Sequence, residues 1–188
     1  MATYPPVIDW CPFGLVRERL IMYHAANPCL DEVISDMSTS FSVETDLSEL
    51  VQGSTSPSRC YVRLWDILEA MGSLDANFSD NITLSCELPA PDVETIFNSP
   101  EFALLVFKKL RMDSGIGIFK LDPSFFIKYP ELCDPNEENI ANGISIAPAN
   151  QTRIPGPEAL DARMSSTYKH LALWSFDMLF KIPPSTLS

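Results

Sequence analysis

Ser99-Pro100-Glu101-Phe102-Ala103-Leu104-Leu105-Val106-Phe107-Lys108-Lys109-Leu110 is the stretch whose reading decides the fold. It opens with a capping serine, a proline at the first helical position and an acidic residue in the first turn, which predicts a helix start. From Phe102 to Leu110 the apolar residues run almost all the way round, so this helix needs cover on every side and belongs at the centre of the molecule. Just upstream, Asn81 to Leu88 alternates: Ile82, Leu84, Cys86 and Leu88 on one side, Thr83, Ser85 and Glu87 on the other. That is the period of a half-buried strand. A buried helix beside a half-buried strand predicts a helix-rich α+β fold, a single domain with a small antiparallel sheet.

Outward from this pair, Asn27-Pro28 predicts another helix start, and Leu30, Val33, Ile34 and Met37 fall at the spacing of one helical face. Thr45 to Gln52 reads as a short helix with Leu47, Leu50 and Val51 as its stripe and Gly53 as its end. Tyr61, Leu64, Trp65, Leu68 and Met71 share a face of a further helix that stops at Gly72. Asp92 to Phe97 reads as a helical turn, Leu15 to Tyr23 and Ile116 to Leu121 as strands. The charges of Arg17, Glu18 and Arg19 leave a helix open for the first of these, and Ser124 to Tyr129 fits either state. The organisation expected is an extended Pro/aromatic arm over 1–14, an α+β core over 15–129 and a long polar loop over 130–156. A C-terminal helix over 157–188 would pack on the core.

The chain has 188 residues, 46% of them apolar, enough for one core without staples. Sixteen prolines against seven glycines predict fixed corners rather than flexible linkers. A net charge of −12 repels phosphate backbones, so direct nucleic-acid binding is not expected, and basic surfaces are the favoured partners. Lys108, Lys109 and Arg111 form a basic cluster that reads as a helix's last turn. No apolar run is long enough for a transmembrane helix, and the first residues lack the pattern of a secretory signal. The five cysteines are odd in number and widely spaced, which predicts reduced thiols in the cytoplasm or nucleus. The sequons at Asn77, Asn81 and Asn150 then carry no sugar.

Reactive constellations are sparse. The two histidines, His24 and His170, lie far apart, and His24 with Cys29 or His170 with Cys86 are the thiol–imidazole pairs a fold could assemble. Cysteine and histidine lack the short paired spacings of a zinc site. The carboxylate pairs Asp31/Glu32, Asp92/Glu94 and Glu137/Glu138 fall at helix starts or in a polar loop, where they are solvated. Gly115-Ile116-Gly117 lacks the third glycine of a dinucleotide fingerprint and reads as a turn. No catalytic residue, metal or cofactor is therefore expected. Apolar contact surface is the more telling feature. Trp174, Phe176 and Phe180 widen the apolar side of the last helix, and Trp10 and Phe13 sit in the proline-rich arm. These five are the expected interface residues, with burial in the core as the other reading of each.

Tyr4-Pro5-Pro6-Val7-Ile8, followed by Arg17 and Tyr23, resembles the opening pattern of the small-segment nonstructural (NSs) proteins of phleboviruses. Arg63-Leu64-Trp65-Asp66-Ile67-Leu68 resembles their Arg-Leu-x-Asp-hydrophobic segment. Leu88-Pro89-Ala90-Pro91 stands where that family has a Trp-Pro-x-Gly-x-Pro turn, without the Trp or the Gly. The resemblance is confined to the first half of the chain. It implies a non-enzymatic virulence factor that binds host proteins and blunts interferon or transcription responses. The expected function is thus a small viral accessory protein binding host or viral proteins. A self-assembling matrix-like protein and an enzyme with an atypical Cys/His site remain open beside it.

Overall fold

The computed structural model describes residues 4–54, 58–72, 86–133 and 138–149. They form an α+β fold with one four-stranded sheet, in the order β3-β1-β2-β4. β1 (Phe41–Asp46) lies antiparallel to β2 (Arg59–Arg63) and to β3 (Lys120–Leu121). β4 (Ile144–Ile146) runs parallel to β2, Cys60 facing Ile144 and Val62 facing Ile146. The sheet is therefore mixed, not antiparallel as the sequence led us to expect. The expected polar loop over 130–156 holds its fourth strand.

The sheet has one apolar and one polar face. Val43, Cys60, Val62 and Ile146 belong to a core that α4 (Leu64–Met71), α5 (Val93–Asn98) and α6 (Pro100–Lys109) enclose. α6 sits at its centre as its composition required: Ala103, Leu104, Val106 and Phe107 are buried, and none of residues 102–107 is exposed. The alternate residues Ser42, Glu44, Tyr61 and Ser145 mark the other face. There Glu44 Oε1 accepts from Lys120 Nζ of β3 at 3.0 Å and from the Asn142 N–H at 2.8 Å, tying three segments together.

A second core lies toward the β3 edge. It gathers Ile8, Val16, Leu20, Val33, Met37 and Leu121 with Phe125, Phe126 and Leu132. α1 (Gly14–His24), α2 (Leu30–Thr39) and α7 (Pro123–Lys128) surround it, with 3-10 turns at Pro6–Trp10 and Pro130–Leu132. Phe41 links the two cores, its ring 5.8 Å from Phe13 on one side and 5.8 Å from Phe119 on the other.

Several local expectations differ from the structure. Leu15–Tyr23 is helix α1, not a strand. Residues 6–10 wind into a 3-10 turn rather than an extended arm. Residues 41–46 are strand, and the helix expected over 45–52 shrinks to one turn, α3 (Leu47–Leu50), capped by the Asp46 carboxylate on the Ser48 N–H. Tyr61 belongs to β2, and the helix after it starts only at Leu64. Ile116–Ile118 is a 3-10 turn that leads into the two residues of β3. Asn27 acts one step earlier than expected: its side chain accepts from the Cys29 N–H, and α2 begins at Leu30. Of the strand expected over 81–88, Cys86 to Leu88 is not strand and 81–85 lie outside the described residues, as does the helix expected over 157–188.

Candidate functional site

The helix α1 has an unusual distribution of side chains. Val16, Leu20 and His24 recur every fourth residue and form its buried stripe. The last of them is polar, while two apolar residues of the same final turn point outward: Met22 is 66% exposed and Tyr23 60%. Polar residues are the usual occupants of such positions on an amphipathic helix. Trp10, at the end of the 3-10 turn against which α1 packs, is 68% exposed, and Ile127 of α7 is 82% exposed. All four residues belong to elements that enclose the second core, and none of them is part of it.

Of the two arm aromatics, Trp10 presents its indole to solvent, whereas the Phe13 ring is turned inward against Phe41. Trp174, Phe176 and Phe180 lie outside the described residues. Met22, Tyr23 and Ile127 are exposed apolar residues that the sequence reading did not single out. The available signal was two consecutive large apolar residues directly before a histidine, visible only once the segment is known to be helical.

The His24 corner is built by three elements. The ring is buried at the end of α1, with the Tyr129 ring edge-on at 6.1 Å. Its Nε2 lies 2.7 Å from Glu131 Oε1, and its Nδ1 lies 2.9 Å from Asn27 Nδ2. Arg19 Nη1 donates to the Glu131 carbonyl oxygen at 3.0 Å and holds the same turn. Cys29 is exposed at the entry to α2, and its N–H is bonded to Asn27. A thiol–imidazole mechanism through His24 would have to break one of the ring's two existing hydrogen bonds before either nitrogen could take a thiol proton.

Several carboxylates tie elements together. Asp92 caps α5 through the Thr95 N–H at 2.7 Å, and that bond holds its carboxyl below the ordinary range. Glu32 pairs with Lys128 at 2.8 Å, and Asp36 receives both the Lys128 ammonium and the Tyr129 hydroxyl, joining α2 to α7. Burial and the bond to Asp36 push the Tyr129 phenol up to about 12. Burial alone would raise the Glu44 carboxyl, but the Lys120 ammonium and the Asn142 N–H outweigh it and hold the group below its usual value. Burial pushes the Cys60 thiol up to about 11, which suits a packed side chain rather than a nucleophile. Beside Glu44 on the polar sheet face, Thr45, Asp46 and Arg59 line an open concavity of ≈ 390 Å³. Among the described residues, no three metal-ligating side chains come together and no helix is long and apolar enough to cross a membrane. No protein-family model, no curated protein and no solved structure matches the chain.

Proposed function

We propose that this chain is a non-enzymatic protein-binding factor. Its contacts are made by the apolar side chains outside the second core, with Trp10, Met22 and Tyr23 as anchors. The observation that carries the reading is the inverted last turn of α1, which buries a histidine and sends a methionine and a tyrosine into water. Tryptophan and tyrosine bring large contact area with two torsions to freeze, the profile of interface hot spots, and methionine is enriched at interfaces. The chain's net charge of −12 favours a partner with basic character. The resemblance to the phlebovirus nonstructural proteins supports the narrower form of the proposal, in which the partner is a host protein and the chain a viral accessory factor. Trp174, Phe176 and Phe180 stay in the proposal as further anchors on sequence grounds.

The test is a set of polar replacements, Trp10→Ser, Met22→Ser and Tyr23→Ser, singly and together. Each side chain is more than half exposed, so stability should change by no more than about 0.5 kcal/mol per site, checked by thermal melts. Partner capture from host-cell extract, followed by titration of the captured protein, should lose roughly 30-fold in affinity per anchor lost. An unchanged set of partners at unchanged affinity, with the variants folded, removes these residues from the proposal. If the partner is a second copy of this chain, the same variants will lower the assembly state in sedimentation instead.

A further inference from the structure

The hydrogen bonds around His24 assign a tautomer to its ring. The Cys29 N–H donates to Asn27 Oδ1 at 2.9 Å, which sets the orientation of the Asn27 side-chain amide. Asn27 Nδ2, a donor and never an acceptor, therefore faces His24 Nδ1 at 2.9 Å, and Nδ1 must accept. The ring's one proton is left on Nε2, where it is donated to Glu131 Oε1 at 2.7 Å. A second proton can go only to Nδ1, where it would meet the Asn27 N–H head on.

The charges around the ring pull in the opposite direction. Glu131 favours an imidazolium across its short contact, while the Arg19 guanidinium, bound to the Glu131 carbonyl, partly offsets it. Tyr129 contributes a ring edge, with its hydroxyl committed to Asp36, and Lys128 is neutralised by Glu32 and Asp36. Charging the ring is thus supported by its carboxylate and obstructed at a single hydrogen bond. The smallest movement that clears the obstruction is a half-turn of the Asn27 amide. Asn27 Oδ1 then accepts from Nδ1–H, and the Cys29 N–H loses its acceptor at the entry to α2.

We infer that His24, Asn27 and the Cys29 amide form a proton-operated latch, in which proton uptake at His24 Nδ1 turns the Asn27 amide over and releases the turn leading into α2. The inference rests on the corner's geometry and not on the proposed binding role.

Nitrogen-detected NMR of the full chain tests it, with His170→Gln used to assign the two rings. Near pH 8 the His24 proton should sit on Nε2. Between about pH 8 and pH 5 the Cys29 amide resonance should move with the same midpoint as the ring. In Asn27→Asp a carboxylate can accept from both N–H groups, so the ring should still titrate while the Cys29 amide stays in place. In His24→Gln the Cys29 amide should not move at all. A proton found on Nδ1 at the start, or a ring still neutral at the acid end, overturns the inference. So does a Cys29 amide that is stationary as the wild-type ring charges, or one that moves equally in Asn27→Asp.

Discussion

Replacing Gly143 by alanine probes how the fourth strand is held. Gly143 has φ +110°, a backbone conformation that L side chains rarely adopt, and it passes directly over β2. A β-carbon at this position falls well inside contact distance of the Arg59 carbonyl and 3.0 Å from the Cys60 nitrogen, both backbone atoms that cannot swing aside. Forcing the conformation on alanine costs about 1–3 kcal/mol. Separating the two backbones costs about 1–3 kcal/mol more, the usual range for overpacking. The alternative is to let β4 go, which exposes Ile146 at about 2 kcal/mol and gives up ladder hydrogen bonds worth about 1 kcal/mol each. The first route totals about 2–6 kcal/mol and the second about 3–5 kcal/mol, so a loss of about 3–5 kcal/mol is expected. For a chain of this size that is a fall in Tm of roughly 6–20 °C. Urea unfolding of Gly143→Ala should be compared with Gly117→Ala, where the added carbon meets nothing within 4 Å. Amide hydrogen exchange separates the routes, because undocking removes protection from Ile144–Ile146 while β1 and β2 keep theirs. A Gly143→Ala protein within about 0.5 kcal/mol of the control would refute the parallel β2–β4 pairing as described.

Three further perturbations address the ionic ties. Glu44→Gln should destabilise by about 1–2 kcal/mol at neutral pH, since a charged acceptor is lost to two donors. The folded carboxyl lies below its unfolded value, so this contribution is present above the unfolded value and lost as pH falls through the folded one; urea melts in strong acid should show no difference between variant and wild type. Tyr129→Phe should cost about 0.5–1.5 kcal/mol. Its raised phenol means that the wild type's advantage holds below the unfolded value near pH 10 and fades as pH rises toward about 12, which alkaline melts will follow. Asp66→Ala removes a carboxylate only 2% exposed that accepts from Arg63 Nε at 2.9 Å, and should cost about 2–4 kcal/mol in a urea melt.

The helices that could be read from sequence were those whose apolar pattern and punctuation agree. In α6 the Ser-Pro-Glu start and the continuous apolar body point to the same answer, and α2 shows an apolar face with acidic residues in its first turn. α1 was unreadable because its buried stripe ends in a histidine and its exposed side ends in Met22 and Tyr23, so no period of 3.6 survives. β1 and β2 run straight into helices at Asp46–Leu47 and Arg63–Leu64 with no glycine or proline at the junction, and the helical spacing of Leu64 and Leu68 extended backward over Tyr61. β4 is three residues long and finds its partner far away in the chain, information that no local window contains. The same limit applied to the site: Trp10 and Phe13 look alike in sequence, and only the turn through Cys11 decides which ring faces Phe41.

The pairing of Cys60 with Ile144 also governs how this chain emerges during synthesis. β1 and β2 are complete long before the segment that will flank β2 leaves the ribosome, and local contacts form faster than distant ones. In that interval the Cys60-Tyr61-Val62 run offers a bare backbone edge to any other nascent strand, the situation that feeds aggregation. Arg59 and Arg63 stand at the two ends of that run. Charges flanking an apolar strand are the usual gatekeepers against edge-to-edge pairing, and these two positions are where β2 carries them.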